Sequence, residues 1–293
     1  MKKVLVMAVG LMAAVLSTQA QDIQFGWDAG AELVGAYLWR GQYLGGLSIQ
    51  PTASVGFDAL DEKIKFRVGA WGSIGASDWK FYFNNGKADV NYDPNGGNPF
   101  THFVPELDIF ASVSAYGFSI TATHYYYFGG TPFWAGLEDD GGSQTELTAG
   151  FNLGDIGPNI NLFVNWSTIL AGNDPWLNPQ TQQGERAYSS YFEVGYTQPL
   201  PLDMDLTLTV GMTPWHGQYL DSESEDAFAV NNISLRYGKT FNFGDVCSLE
   251  LFALGSINTH NITLQNCFVW AAGDNKIGTL QKLNGTIGVG VWF

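Results

Sequence analysis

The chain has 293 residues, of which 15% are aromatic and only 14% are charged, and it contains 36 glycines. Acidic residues outnumber basic ones, 28 to 13, which gives a net charge of −15. This balance excludes a nucleic-acid partner, because proteins that bind nucleic acids need clustered lysine and arginine.

The first twenty residues have the pattern of a secretory signal peptide. Lys2 and Lys3 precede an apolar run from Val4 to Leu16, and small and polar residues follow up to Ala20. A transmembrane anchor helix is the alternative reading, but such a helix needs about 20 apolar residues. We therefore predict a signal peptide over residues 1–20 and a single mature domain over residues 21–293.

The rest of the chain has the pattern of β-strands and shows no helical periodicity. In NINLFVNWSTIL, for example, Ile160, Leu162 and Val164 alternate with Asn161 and Asn165, as expected of half-buried strands. Twelve segments are predicted, at approximately residues 24–39, 46–59, 63–76, 102–116, 118–128, 143–154, 159–170, 187–198, 204–213, 228–241, 246–257 and 281–293.

Short and long connections alternate between these predicted strands. The stretches ALDEK, YG, GDIGPN, PLPLD and NFGD are short and rich in turn residues. Of the other connections, the first, GQYLGG, is short, and the remaining five are roughly 14 to 25 residues long. Short periplasmic turns and longer extracellular loops are typical of outer-membrane barrels. We predict an all-β fold, a closed antiparallel transmembrane barrel of about 12 strands in a Gram-negative outer membrane, with both termini periplasmic.

The alternation sorts side chains into two faces. One face is apolar and includes Leu33, Val68, Leu235 and Leu251. The other face carries the ionisable side chains Glu32, Lys65, Arg67, Glu106, Asp108, Glu146, Glu193, Asp205, Arg236 and Glu250. A lysine or arginine facing the middle of the bilayer costs about 2–4 kcal/mol. We therefore predict that the charged face lines the lumen, together with Arg40, and that every strand charge lies on that side.

Aromatic residues cluster near the ends of the predicted strands, where membrane barrels carry aromatic girdles. The clusters are Tyr37 and Trp39, Tyr125 to Phe128, Phe151, Phe192 and Tyr196, Phe241 and Phe243, and Trp292 and Phe293. The final stretch GTIGVGVWF is predicted to pair with the first strand, because backbone groups in hydrocarbon must be satisfied within the protein. The terminal Phe293 resembles the C-terminal signal that the barrel-assembly machinery recognises.

The stretch GAELVGAYLWRGQYLGGLSIQPTASVGF resembles the start of the TorF-like family of outer-membrane porins, with members from the Bacteroides group most similar. The first strand of that family ends in an aromatic–Trp/Phe–Arg–Gly motif, here Tyr37, Trp39, Arg40 and Gly41, and a polar–apolar–Gln–Pro pattern follows, here residues 48–51. Later stretches such as FSITATHYYYFGG are also similar. The resemblance implies an outer-membrane β-barrel and does not establish transport.

The charged lumen supports two readings. Basic Arg40, Lys65, Arg67 and Arg236 would either pair with the acidic side chains in a network that fills the lumen, or form a constriction that selects ions and polar solutes. We predict passive passage of small polar solutes with a mild cation preference, because acidic groups are in excess. The alternatives are a plugged barrel that acts as a surface or scaffold protein, an outer-membrane hydrolase and, less favoured, a soluble β-protein.

Other candidate sites are weaker. No catalytic motif, cofactor site or recognised metal-binding spacing is present, so we expect no enzyme and no cofactor. His124, predicted to face outward near the rim, is the best candidate for a hydrolase base, with a place in the aromatic girdle as the alternative. The acidic stretches LEDDGG and DSESED are more typical of solvated loops than of calcium sites. Cys247 and Cys267 are expected to stay unpaired, because a strand separates them.

Overall fold

The structure is a computed structural model that describes residues 23–60, 63–75, 105–128, 133–134, 143–157, 160–177, 184–219, 228–258 and 283–293. The predicted signal peptide, the acidic stretches 137–142 and 221–226, and Cys267 lie outside these residues, so the predictions made for them stay predictions. Cys247 has a free thiol. No helix within the described ranges is long and apolar enough to cross a membrane.

Sixteen strands are described. They are β1 (Gln24–Val34), β2 (Tyr37–Trp39), β3 (Gln42–Gly45), β4 (Ser48–Ala59), β5 (Ile64–Gly75), β6 (Glu106–Ala115), β7 (Phe118–Tyr127), β8 (Ser143–Asn152), β9 (Asn161–Gly172), β10 (Pro175–Leu177), β11 (Gly184–Arg186), β12 (Ser190–Leu200), β13 (Met204–Thr213), β14 (Ala229–Phe243), β15 (Cys247–Ile257) and β16 (Leu283–Trp292). A short 3-10 helix, Leu153–Ile156, lies in the turn between β8 and β9.

Twelve of these strands form a closed antiparallel barrel in the order β1-β16-β15-β14-β13-β12-β9-β8-β7-β6-β5-β4. The barrel closes where β1 pairs with both β4 and β16, so that Leu33 lies opposite Ile49 on one side and Val289 on the other. The backbone N–H of Phe293 donates to the carbonyl of Ala29 at 2.8 Å, so the closing strand is paired to its last residue. The all-β fold, the twelve-stranded barrel and the pairing of the first and last strands are therefore confirmed.

The tight connections all lie at one end of the barrel, together with the start of β1 and the end of β16. Leu60 and Lys63 flank one of these turns, Tyr116 and Gly117 form the next, and Leu202 and Gly244 lie in others. We call this the tight-turn end, and the opposite end the long-connection end. The alternation of short and long connections in the sequence therefore corresponds to two different ends of the molecule.

The outer surface of the barrel is apolar. Val55, Leu208, Leu235, Leu251 and Ile287 lie on outward positions of their strands and are exposed, from 46% for Leu251 to 73% for Ile287. Large apolar side chains in this number are not stable against water, and they match the hydrocarbon of a bilayer. The outward face predicted from the alternation is therefore the face that the structure presents to lipid.

Lys239 corrects the prediction that every strand charge faces the lumen. It lies opposite Met204 and Leu251 in the register of β13, β14 and β15, and Leu251 faces outward. Lys239 lies near the tight-turn end, with Nζ 5.2 Å from the ring centroid of Phe241. A long lysine side chain near a membrane surface can bury its stem and direct its ammonium group to the polar zone, and this position therefore tolerates the charge.

Candidate functional site in the barrel lumen

The connection between β1 and β4 folds into the barrel. The predicted first strand 24–39 is too long, because β1 ends at Val34 and residues 37–45 form the small hairpin β2–β3. Its turn residues Arg40 and Gly41 both have positive φ, 51° and 77°, as two-residue hairpin turns of type I′ require. We call residues 37–45 the inward hairpin.

Backbone and amide hydrogen bonds hold this hairpin against the wall. The Gly35 N–H donates to the carbonyl of Ile287 at 2.9 Å, and the Ala36 N–H donates to Thr286 Oγ1 at 2.8 Å. Asn284 Nδ2 donates to the Gly41 carbonyl at 2.9 Å. Residues of β16 therefore hold both the segment that leads into the hairpin and the turn at its tip.

Arg40 connects the hairpin to the opposite wall of the barrel. Its guanidinium binds Glu146 on β8 with two bonds, 2.6 Å from Nη1 to Oε2 and 2.8 Å from Nη2 to Oε1. Nη2 also donates to Ser167 Oγ at 2.8 Å, and Nη1 contacts the hydroxyl of Tyr219. In the strand order, β8 lies nearly opposite the β1–β4 seam. This bidentate, charge-assisted pair therefore spans the lumen.

Aromatic side chains surround the Arg40 guanidinium. Its Cζ atom lies 4.5 Å from the ring centroid of Trp39 and 4.7 Å from that of Tyr191. Trp39 packs on Tyr125 and Tyr219 at centroid distances of 5.8 and 5.7 Å. Tyr191 and Tyr219 are fully buried. The prediction that Tyr37, Trp39 and Tyr125 belong to an aromatic girdle is therefore wrong, because these rings face the lumen.

The electrostatics of this layer keep the ion pair charged. Burial alone would lower the pKa of Arg40, but Tyr219 and the Glu146 carboxylate outweigh burial and hold it well above its ordinary value. Burial raises the pKa of Tyr219, so its phenol stays protonated and donates to Glu146 Oε2 at 3.3 Å. Tyr125 donates to the other carboxylate oxygen at 2.9 Å. The Glu146 carboxylate is therefore fully satisfied although it is buried.

A buried carboxyl pair lies beside this layer. Glu106 and Asp108 lie two residues apart on the same face of β6 and are 4% and 8% exposed. Tyr37 of the inward hairpin donates to Glu106 Oε2 at 3.0 Å, and its ring lies 5.4 Å from that of Trp71. Asp108 Oδ1 is buried and has no hydrogen-bond partner among the described residues. The hairpin therefore also contacts the acidic wall of β6.

The remaining lumen charges lie nearer the tight-turn end, in two clusters. On one wall, Arg67 binds both oxygens of Asp58, at 2.6 and 2.9 Å, and reaches Asp28 at 3.4 Å. Lys65 lies opposite Asp58 in the register. We call these residues the Arg67 cluster.

On the facing wall, Arg236 binds Glu250 at 2.7 Å and lies 3.8 Å from Asp205. Glu32 lines the same wall, and Glu193 accepts from Asn165 Nδ2 at 2.8 Å on the neighbouring wall. The sequence-predicted lumen residues therefore fall into three groups, two of them near the tight-turn end and one around Arg40.

Sequence reasoning missed several residues of the Arg40 layer. Tyr191 shares its strand face with Glu193, and Tyr125 lies opposite Asp108 in the register, so the alternation could have placed both in the lumen. Tyr219 lies in the connection after β13, where no strand alternation indicates whether a side chain faces the lumen or the outside. Its position in the lumen depends on tertiary contacts alone.

His124 faces outward as predicted, but it is covered. Its Nδ1 lies 2.9 Å from Thr145 Oγ1 and its Nε2 lies 2.9 Å from the Phe133 carbonyl. The rings of Phe133 and Trp134 lie 4.6 and 4.2 Å from the imidazole. Both ring nitrogens are occupied, so this residue gives the hydrolase hypothesis no support. Among the described residues no group of three or more His, Cys, Asp or Glu side chains is placed to hold a metal ion.

No protein-family model and no curated protein matches the chain. Solved structures of similar architecture include OmpF of Salmonella typhi in complex with daunomycin, with 9% identity and a TM-score of 0.34, covering 92% of this chain and 97% of that one. OmpT of Vibrio cholerae has 8% identity and a TM-score of 0.34, covering 93% and 99%. A FadL homologue of Pseudomonas aeruginosa has 10% identity and a TM-score of 0.36, covering 94% and 76%. These likenesses concern architecture alone.

The protein is an outer-membrane β-barrel. The closed sheet leaves no strand edge in the bilayer, and the exposed outer surface is apolar, which together are the features of outer-membrane barrels. Inside this barrel, the inward hairpin reaches from the β1–β4 seam to Glu146 on β8 through Arg40. Membership of the TorF-like family stays a prediction.

Proposed function

We propose that the protein is a narrow outer-membrane channel for small polar solutes and ions, whose width is set by the inward hairpin. The observation that carries this proposal is the Arg40–Glu146 pair, which joins the hairpin to the far wall at 2.6 Å. A twelve-stranded barrel is narrower than the porins of 16 to 18 strands. One hairpin folded into its lumen is therefore enough to set the width of the pore.

The charge of the lumen supports a preference for cations. Most basic side chains of the lumen are paired, Arg40 with Glu146, Arg67 with Asp58, and Arg236 with Glu250. Further carboxylates, such as Glu32 and Glu193, remain on the same surface. Rings of acidic side chains favour cations in pores, and the net field along the path is therefore negative.

A plugged barrel is the second candidate, and the same layer favours it. Tyr191, Tyr219 and Glu146 are fully buried, as expected of a lumen that is packed shut. In that case the protein would be a surface or scaffold component and would pass no solute. The two candidates make opposite predictions for conductance, so one experiment separates them.

The test is the single-channel conductance of the purified, refolded chain in planar bilayers. We expect small, cation-selective events for the wild type. A variant that lacks residues 37–45 keeps a four-residue connection between Val34 and Ser48, which face each other in the register and suit a hairpin loop of that length. Its conductance should rise by about threefold or more, because the lumen widens where the hairpin is removed.

Lys63→Met is the matched control, since Lys63 is exposed in a tight turn, and it should conduct like the wild type. Folding of every variant is checked by the gel-mobility difference between boiled and unboiled samples. Absence of conductance in both the wild type and the shortened variant would favour the plugged barrel. Reversal potentials that show anion preference would contradict the assigned selectivity.

A further inference from the structure

A cavity of about 410 Å³ lies on the outer surface at Phe25, Trp27 and Val55 and has almost entirely apolar walls. A second cavity, of about 140 Å³, lies inside the lumen directly below the inward hairpin. Leu38 of the hairpin lies over it, and Glu32, Arg236, Phe252 and Leu254 line its walls. Its volume is well below the roughly 300–1,000 Å³ of pockets for drug-sized ligands. The cavity therefore suits a ligand of only a few heavy atoms.

The charged groups on this cavity are unevenly paired. Arg236 is held by Glu250 at 2.7 Å, lies 3.8 Å from Asp205, and its Cζ atom lies 4.4 Å from the ring centroid of Phe252. Among the described residues Glu32 forms no hydrogen bond and no ion pair within 4.0 Å, although the Arg236 guanidinium on the same cavity attracts its carboxylate. One cation therefore faces three carboxylates, and the carboxylate of Glu32 remains available to a positively charged ligand.

The other walls select the rest of the ligand. Val34, Leu38, Leu254 and Phe252 give the cavity apolar walls, and Gln50 and Thr286 add two uncharged polar groups. A bare inorganic cation keeps its hydration shell and gains nothing from such walls, whereas a short alkyl chain gains about 25 cal/mol per Å² of buried apolar surface. The cavity thus combines one carboxylate with a small, largely apolar wall surface.

We propose that this cavity is a binding site for small organic cations, with an ammonium group on Glu32 and a short aliphatic chain against Leu38, Phe252 and Leu254. Because the cavity lies on the lumen path, the site names a solute class for the proposed channel, and its role in passage rests on that function. Binding itself does not depend on conduction, and it is measured separately.

The test is calorimetric titration of the purified, refolded full chain in detergent with n-propylammonium. We expect saturable binding of this probe, and at least tenfold weaker binding of its neutral and anionic counterparts, 1-propanol and propionate. Glu32→Gln should weaken propylammonium binding by tenfold or more. Glu193→Gln is the matched control, since it also removes a lumen carboxylate but lies away from the cavity, and it should bind like the wild type.

Several outcomes would overturn the site. They are no saturable binding of propylammonium, equal binding of 1-propanol, displacement of propylammonium by equimolar potassium, or unchanged affinity in Glu32→Gln. If Glu32→Gln fails the gel-mobility test of folding, the comparison of the three probes on the wild type decides alone. If the chain binds propylammonium but never conducts, the binding site is supported and the channel function is contradicted. If the chain conducts but does not bind propylammonium, only the binding site is contradicted.

Discussion

At the residue scale, Arg40 shows how one side chain links two distant parts of the chain. It is separated from Glu146 by 106 positions and binds it through two hydrogen bonds in a buried layer. A buried ion pair adds little net stability compared with apolar packing, but removing one partner leaves an uncompensated charge. The pair therefore serves mainly to fix where the inward hairpin lies.

A double-mutant cycle tests this role. Arg40→Met leaves the buried Glu146 carboxylate without its cation, and we expect the free energy of unfolding to fall by about 3–5 kcal/mol. Glu146→Gln should have a similar effect, and the double variant should lose less than the sum of the two. The measurement is urea unfolding in lipid vesicles, followed by tryptophan fluorescence.

Arg67→Met is the control for this cycle. Arg67 also binds a carboxylate through two bonds, but its partners Asp58 and Asp28 are 17% and 69% exposed, so water and salt screen the pair. Its loss should cost about 1 kcal/mol or less. Equal losses for Arg40→Met and Arg67→Met would show that the Arg40 layer is open to water, contrary to the packing described.

At the element scale, the alternation predicted neither the inward hairpin nor the small β10–β11 sheet, and the hairpin is the one that reaches the lumen. The apolar period of β1 continues through Tyr37 and Trp39, so the sequence reads as one long strand. The break after Val34 depends on tertiary contacts, because the hairpin gains the Glu146 carboxylate and the aromatic rings of the lumen in place of lipid. Only the pair Arg40 and Gly41 carries a local signal, since a positive φ is easily adopted by glycine.

Gly41→Ala tests how closely the hairpin fits. Gly41 has φ +77°, and a Cβ atom there would lie 2.9 Å from Asn232 Oδ1. Asn232 is itself held, since it donates to the Tyr191 hydroxyl at 2.9 Å and accepts from Ser256 at 2.8 Å. We expect a loss of about 2–3 kcal/mol, which combines backbone strain with the disturbed contact.

The matched variant is Gly244→Ala in the tight turn after β14. Gly244 has φ +64° and nothing within 4 Å of its added Cβ atom, so this change carries backbone strain alone, about 1 kcal/mol. Thermal or urea unfolding of both variants gives the difference. If Gly41→Ala costs no more than Gly244→Ala, the tip of the hairpin does not pack against β14.

At the scale of the whole molecule, the alternation predicted the barrel because each strand has only two faces and one of them must meet lipid. Glu32, Arg67, Glu146 and Arg236 fell on the lumen side for that reason. The long connections have no such constraint, so the position of Tyr219 could not be read from the sequence. Lys239 marks the limit of the rule, because near the membrane surface the cost of an outward charge becomes small.

Two neighbouring positions of β13 test the two-faced arrangement of the whole barrel. Leu208 faces outward in the middle of the strand, lies opposite Tyr196 and Leu235, and is 47% exposed. Thr209, the next residue, faces the lumen opposite Gly195 and Ser234. An arginine at either position adds the same charge and presents the same side chain, so a larger loss at Leu208 comes from the face on which that position lies.

Leu208→Arg should lower the free energy of unfolding in vesicles by about 2–4 kcal/mol, because the guanidinium then lies in hydrocarbon. Thr209→Arg should cost about 1 kcal/mol or less, because the lumen offers water and the nearby Glu193 carboxylate. Folding is followed by gel mobility without boiling, over a urea series. Equal losses at both positions, or a larger loss for Thr209→Arg, would mean that the charged face is not the interior, and the assignment of the lumen would fall with it.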